Sequence, residues 1–318
     1  MLQRGDWRLK SALKRVSETI PKGAQQPSWI RARMLWCLLR PYQWVKNSFV
    51  FIGIIFSKNI NNPEYLLPAV LAALAFSFVS SSVYILNDIF DREQDRLHPK
   101  KRLRPLAAGE INSGVAFLLF LICLVVGLGL GFFVSPIVGL ILVIYFGQNI
   151  AYSKFLKHVV ILDVFLLAFG FLLRILAGTW GVGIEPSRWL LLCGLMLTLF
   201  IGFGKRWAEL AELLEEASQH RAVLESYSVA LLDKMMGITA SGVIITYSLY
   251  TVDQATVALH GTDALIYTVP FVIYGVFRYL YLLHKCGAGG DPSRLLLKDP
   301  HLLSVALLWL AAVVWILR

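Results

Sequence analysis

The sequence predicts an all-α polytopic membrane protein, a bundle of nine transmembrane helices, and three observations carry that expectation. Hydrophobic residues make up 57% of the 318-residue chain and charged residues only 16%, far from the proportions of a soluble domain. Nine apolar runs approach or exceed the roughly 18 to 20 residues that cross a bilayer. Lys and Arg gather between alternate runs, as expected when one side of a membrane retains positive charge.

Taken in order, residues 1–34 form a basic N-terminal segment rather than a span. Trp7, Leu9, Leu13, Val16 and Ile20 alternate with Arg8, Lys10, Lys14 and Arg15, which fits either an amphipathic helix on the inner leaflet or a disordered basic tail. The segment lacks the long apolar core of a removable signal peptide. From residue 35 to 318 the chain reads as one intramembrane domain, with spans expected at 42–58, 64–86, 112–134, 136–152, 159–182, 188–204, 235–252, 264–284 and 301–317. Pro99, Pro105 and Gly109 end the helix that follows the second span. After the sixth span, Leu210, Leu213 and Leu214 among Glu209, Glu212 and Glu215 keep a helical period, so that span is expected to continue as an amphipathic helix.

Most of the 30 Lys and Arg residues fall in the N-terminal segment and in loops 87–110, 153–158, 205–227 and 285–300. The opposite side carries Lys58, Arg188 and Arg318. This asymmetry predicts a multi-pass protein of the cytoplasmic (inner) membrane with a cytosolic N-terminus and with the long charged loops in the cytosol. The net charge of +10 is then topology plus attraction to anionic lipid and substrate, and nothing resembles a nucleic-acid module. A homo-oligomer is compatible with the sequence.

Cys37, Cys123, Cys193 and Cys286 stand singly in or beside spans, without the CxxC pairing of a zinc or redox site, and read as small buried hydrophobes. Gly127, Gly129 and Gly131 in the third span contain a GxxxG spacing, which lets helices pack closely. Neither GxxxxGK[ST] nor a strand-linked GxGxxG occurs, so nucleotide hydrolysis has no support. Gly287, Gly289, Gly290, Asp291 and Pro292 read as a flexible connector.

Chemistry concentrates where the second span ends. At 100° per residue, Asn87, Asp88, Asp91 and Asp95 fall within an arc of about 100°, so one continuous helix would turn them toward a single point. Three carboxylates so placed raise one another's pKa unless a cation lies between them. An all-oxygen set suits magnesium, which keeps waters and shares its ligands with a substrate phosphate. Six cations run from Arg92 to Arg104; among them Lys101 supplies charge, while Arg102 and Arg104 suit bidentate grip on phosphate. A solvated, charge-balanced loop is the bland alternative, and the shared face argues against it. The expectation is a metal-diphosphate site at the membrane surface, with Asp88, Asp91 and Asp95 as its metal ligands and catalytic groups.

Two further groups join it. Tyr152, Ser153, Lys154, Lys157 and Asp163 lie at the inner junction of the fourth and fifth spans, with Asp163 about one turn inside the apolar region, where an ionisable group has a partner or a function. Lys46 and Asn47 lie near the start of the first span. Snorkelling toward lipid phosphates accounts for Arg40, while Lys46, deeper, is the better candidate for a substrate phosphate. Lys205 and Arg206 serve equally well as topology signal or ligand. Arg174 shares a face with Asp163 but lies about 16 Å along the axis, so its partner must lie elsewhere.

These residues resemble a family. The pattern N-D-x-x-D-x-x-x-D at 87–95, after a second span in a nine-span bundle, is similar to the UbiA-type intramembrane prenyltransferase superfamily. "RPYQWVKN" at 40–47, "NDIFDREQDRLHPKKRLRPLAAG" at 87–109, "YSKFLKHVVILD" at 152–163, "FGKRWAEL" at 203–210 and "FRYLYLL" at 277–283 resemble, more narrowly, its branch that moves phosphoribose onto polyprenyl phosphate. The likeness runs from about residue 35 to 318. It departs from members that use lipid diphosphates at one place, where their second aspartate motif, DxxxD, is replaced by Lys205, Arg206, Trp207, Ala208 and Glu209. Two cations in place of two carboxylates suit a substrate with an extra phosphate.

The resemblance implies a UbiA-type bundle with a cap of cytosolic loops. It also implies magnesium-dependent transfer of 5-phosphoribose from phosphoribosyl pyrophosphate to a polyprenyl (decaprenyl) phosphate, toward arabinan precursors of a cell envelope. Lys46, Asn87, Lys101, Arg102, Arg104, Tyr152, Lys157, Lys205 and Arg206 would then contact substrate. The alternative is a prenyltransferase that joins a polyprenyl diphosphate to an aromatic or other acceptor. A transporter would gather its charges near the midplane rather than at one face.

Overall fold

The structure, a computed structural model, describes residues 28–57, 59, 61–97, 101–215, 226–286, 295 and 298–318. The amphipathic pattern within residues 7–20, His98 and Pro99, and the glycine-rich connector at 287–292 lie outside the described residues. The elements are α1 (Ser28–Leu39), a 3-10 segment (Pro41–Phe51), α2 (Ile52–Ile55), α3 (Pro63–Phe90), α4 (Arg92–Leu97), α5 (Ser113–Val134), α6 (Pro136–Lys154), α7 (Leu162–Ala177), α8 (Arg188–Glu215), α9 (Val229–Val252), α10 (Gln254–His260), α11 (Val269–Cys286) and α12 (Pro300–Ile316), with short 3-10 turns between some of them. Among the described residues, seven helices are long and apolar enough to cross a membrane, and α12 is a shorter apolar helix.

The all-helical membrane class is therefore correct, and the count of nine regular spans is corrected at its first member. Residues 42–58 form no single α-helix; 11 residues wind as a 3-10 helix and four more as α2. A 3-10 helix is thinner than an α-helix and rises about 2 Å per residue. Its narrowness permits close backbone contact with the end of α7, where a Cβ on Gly178 would collide with the Val50 carbonyl.

Local chemistry starts the helices where the sequence places polar caps. Asn62, Asn112, Ser135, Ser228 and Asp299 each accept a backbone N–H in the first turn of α3, α5, α6, α9 and α12. Such caps satisfy donors that a helix cannot bond internally. The sixth span runs on without a break as α8 to Glu215, as the leucine period predicts.

Two apolar cores meet along α7. Val164 and Ala168 belong to a cluster with α8, α9 and α11, whereas Leu173 and Ala177 pack with the 3-10 segment, α3 and α6. On α5, Phe117, Leu118, Ile122, Val125 and Phe133 face outward; an apolar face turned out on a spanning helix is a lipid-facing one. The inward side of α5 carries Gly127 and Gly131, and Gly129 is exposed. A Cβ on Gly127 would stand 2.7 Å from Val79 Cγ2 and 3.0 Å from the Ala75 carbonyl oxygen, while one on Gly129 would meet nothing within 4 Å.

Arg174 has its partner elsewhere, as its distance from Asp163 requires. Its Nε donates to Asn47 Oδ1 at 2.8 Å, Nη1 to the Gly170 carbonyl at 2.7 Å and Nη2 to Tyr145 Oη at 3.0 Å. Asn47 in turn donates to Ser77 Oγ at 2.9 Å. The guanidinium also lies 4.8 Å from the Tyr145 ring centre and 5.4 Å from that of Phe76. Hydrogen bonds and ring faces thus stabilise a buried cation and pin the 3-10 segment to α7, α6 and α3.

Gly127→Ala should lower the unfolding temperature in detergent, because Val79 and the α3 backbone leave no room. Gly129→Ala should leave it unchanged or raise it, since Ala is favoured over Gly in a helix by about 0.5–1 kcal/mol; equal losses would show that the glycine face is not what packs the pair. A double-mutant cycle of Arg174→Ala and Asn47→Ala should give a coupling of about 1–2 kcal/mol, and strict additivity would refute the pin.

Candidate functional site

The end of α3 carries the acidic motif, and the helix breaks within it. α3 stops at Phe90, Asp91 caps it with its N–H bonded to the Asn87 carbonyl at 2.9 Å, and α4 begins at Arg92. The break shifts the helical phase, so the expected cluster of three carboxylates becomes two. Asp88 and Asp95 are buried, and both end on one nitrogen: Arg104 Nη1 donates to Asp88 Oδ1 at 2.9 Å and to Asp95 Oδ2 at 2.6 Å. Arg40 Nη2 adds a second bond to Asp88 Oδ1 at 2.6 Å, and Lys101 Nζ lies 3.8 Å from Asp95 Oδ1. Asp91 and Asn87 are half-buried beside them. Among the described residues, no three His, Cys, Asp or Glu side chains stand close enough to hold a metal ion.

Two expectations change here. Arg40 does not snorkel to lipid; a left-handed backbone at φ 51° turns its side chain inward onto Asp88. Burial lowers its pKa, and the Asp88 charge and hydrogen bond, together with Tyr42 and Tyr84, outweigh that and leave the guanidinium above its ordinary value. Arg104, expected on a phosphate, instead bridges the two carboxylates, because buried like charges need a shared cation. Arg102 is exposed.

The second group stands against the same tip, since Lys154 Nζ lies over the Phe90 ring at 5.4 Å from its centre. Tyr152, in the last turn of α6, and Lys157, in the turn that joins α6 to α7, are half-buried. Asp163, fully buried, has the partner its depth demands. Arg206 Nε is 3.0 Å from Asp163 Oδ2, Arg206 Nη1 is bonded to Glu209, and Tyr227 Oη donates to Asp163 Oδ1 at 2.9 Å. Arg206 is among the largest fully buried side chains. The structure places Arg206, expected as a substrate contact, in the core, where carboxylates hold a guanidinium in a low-dielectric setting. Lys205 lies 3.9 Å from Glu209, so the two cations that replace the second aspartate motif are engaged within the protein.

An apolar cavity of about 460 Å³ lies between the 3-10 segment, α7, α8, α9, α11 and α12. Phe49, Phe200, Val243, Tyr247, Val276 and Trp309 contribute to its wall, and Lys46 is the one Lys or Arg among its lining residues. Arg40 at the acidic tip caps the 3-10 run that carries Lys46 at the cavity, roughly 12 Å away at its rise per residue. Polar chemistry at the tip and an apolar chamber beside it suit a substrate with a charged head and a long hydrocarbon tail. Sequence reasoning missed Arg40 as an acid partner and missed Tyr227 and the cavity altogether; only the Arg-Pro step at 40–41, which biases the residue before Pro away from the helix, offered a signal.

Comparison with known proteins agrees with this architecture. Residues 47–298 match the model of the UbiA prenyltransferase family. Decaprenyl-phosphate phosphoribosyltransferase of Corynebacterium glutamicum is 35% identical over 87% of this chain and 84% of its own length. The protein of that name from Mycobacterium tuberculosis is 31% identical over 86% and 91%. Among solved structures, a UbiA homolog from Archaeoglobus fulgidus bound to GPP and Mg2+ superposes with a TM-score of 0.67 at 19% identity, covering 89% of this chain and 99% of that one. Digeranylgeranylglyceryl phosphate synthase superposes at 0.61, with 20% identity over 90% and 96%. With most of its length matched to the family and its acidic tip at the mouth of an all-helical membrane bundle, the chain belongs to the UbiA prenyltransferase family.

Proposed function

We propose that the protein transfers 5-phosphoribose from phosphoribosyl pyrophosphate to a polyprenyl phosphate such as decaprenyl phosphate, releasing pyrophosphate, on the cytosolic side of the inner membrane. The observation that carries this reading is the convergence of Asp88 and Asp95 on one cationic nitrogen, beside an apolar cavity. The phosphoribosyl specificity comes from the relatives at 31–35% identity, whose name states that activity. The burial of Arg206 between Asp163 and Glu209 turns the extra-phosphate argument toward Lys157, Lys46, Lys101 and Arg102.

The residues present fit magnesium. Two buried carboxylates already accept a positive charge between them, the donors are all oxygen, and fewer than three protein ligands is usual for an ion that keeps waters and takes phosphate oxygens. Asp88 and Asp95 would hold it, with Asp91 at the rim. Bound there, it would neutralise the leaving diphosphate.

The chain's own groups do the rest. Arg104, already at the carboxylates, is placed to exchange them for diphosphate oxygens, and Arg40 holds Asp88 in orientation. Lys157 and Lys46 approach from the α6–α7 turn and the cavity side, where they fit the ribose phosphate and the lipid phosphate. The lipid tail fills the apolar cavity and fixes its phosphate at the mouth. A phosphate nucleophile is ionised at neutral pH, so attack on the anomeric carbon, opposite the departing diphosphate, requires no general base. Catalysis is then positioning and electrostatics.

Purified protein incubated with labelled phosphoribosyl pyrophosphate, polyprenyl phosphate and magnesium should yield labelled lipid. Chelation should abolish transfer, and added magnesium should restore it. Label appearing only when a polyprenyl diphosphate and an aromatic acceptor are supplied would establish the alternative prenyl transfer. Asp95→Asn should reduce turnover at least 100-fold, about 2.7 kcal/mol of transition-state stabilisation, while the unfolding temperature in detergent stays near wild type; wild-type turnover would remove the metal assignment. Lys157→Ala should raise KM for phosphoribosyl pyrophosphate by roughly tenfold and leave KM for the lipid unchanged, whereas equal loss for both would mark a structural lysine.

A further inference from the structure

The turn that carries Lys157 is held under strain by a residue far along the chain. Between α6 and α7, the Leu162 N–H bonds back to the Val160 carbonyl at 2.8 Å, with Ile161 at φ 69°, ψ −49°. This is the γ-turn of positive φ, a rare and strained conformation. A β-branched residue there is an outlier, whose strain the surroundings must offset.

Tyr227 supplies the restraint. Its hydroxyl oxygen accepts the Ile161 N–H at 2.6 Å and its proton goes to Asp163 Oδ1 at 2.9 Å. Burial pushes the Tyr227 hydroxyl well above its ordinary pKa, so it remains a donor. Asp163 is fixed from its other oxygen by fully buried Arg206. One phenol therefore ties the strained peptide to the ion pair on α8. Lys157 lies between this anchor and Lys154, which rests on the Phe90 ring at the acidic tip. Both ends of its segment are thus secured, one to the metal-site helix and one to the buried pair.

We propose that Tyr227 is a positioning residue for phosphate binding: by holding Ile161 in the strained γ-turn, it keeps the 155–161 segment, and with it Lys157, in the place where the donor phosphate is bound. The proposal rests on the phosphoribosyl-transfer reading for its substrate, and not for the restraint itself. It explains why Arg206 and Asp163 are buried beside a binding segment without reaching a ligand, since they orient the phenol. It also accounts for Ile rather than Gly at 161, because a strained residue released from its anchor moves away.

The test uses the full chain in detergent with Tyr227→Phe, Ile161→Gly and the double variant. Tyr227→Phe should speed amide hydrogen exchange across residues 155–163 about tenfold and raise KM for phosphoribosyl pyrophosphate five- to tenfold, with kcat and the lipid KM within twofold of wild type. Glycine tolerates positive φ, so in the Ile161→Gly background the same change should alter the donor KM by less than twofold. Unchanged exchange in Tyr227→Phe overturns the proposal, as does an undiminished effect in the glycine background. A uniform fall in kcat and both affinities together with the unfolding temperature also overturns it, marking Tyr227 as merely structural. If exchange responds as expected and no phosphoribose is transferred by any variant, the restraint stands and the substrate assignment fails.

Discussion

A carboxylate buried in a low-dielectric bundle persists as an anion only with a cation in reach, and that constraint organises one whole end of this protein. Asp88 and Asp95 share Arg104, and Arg40 adds to Asp88. Asp163 holds Arg206, and Arg206 reaches on to Glu209. Removing one member of such a set leaves its partner buried and unpaired, a larger loss than the pair's net contribution to stability. The pairs therefore act less as glue than as rules for where α3, α4, α7 and α8 can stand relative to one another.

The two ion-pair sets differ in what surrounds them, and the difference separates chemistry from support. The Asp88–Asp95 pair lies at a rim where Lys101 and Arg102 are exposed and Arg104 is only partly covered, so an incoming anion can compete for its cations. The Asp163–Arg206 pair has no exposed surface on either side chain. A ligand cannot reach it, yet it sits one turn from a segment that bears Lys157. The same chemistry, a guanidinium on a carboxylate, is exchangeable in one place and fixed in the other because solvent access differs.

The cavity follows from the opposite constraint. Helices that must be apolar to lie in lipid are also apolar where they face one another, and where their side chains do not fill the space they leave a chamber with few polar groups to order water. The 3-10 segment is the link, carrying Arg40 at the acidic tip, Lys46 at the chamber and Asn47 on Arg174. Its tight winding brings these three side chains onto different neighbours within about two turns of a usual helix.

By itself the amino-acid sequence determined the helical membrane class, the approximate positions of the long helices, the polar end of the bundle and the Asp88–Asp95 motif, because each of these is local. Apolar run length, caps such as Asn62 and Ser135, and the spacing of acids on a helix are all set by residues within a few positions of each other. It placed Gly127 at a helix contact and denied Arg174 the partnership of Asp163 for the same reason, since spacing along a helix is geometry. Tertiary structure alone decided that the helix breaks at Asp91, that Arg40 turns inward, that Arg206 is enclosed rather than offered to a ligand, and that Tyr227 restrains Ile161. Those outcomes depend on which charges meet across 48 or 64 residues of chain, and a pairing of that range is chosen by the competition of all buried groups for partners, which no short stretch of sequence contains.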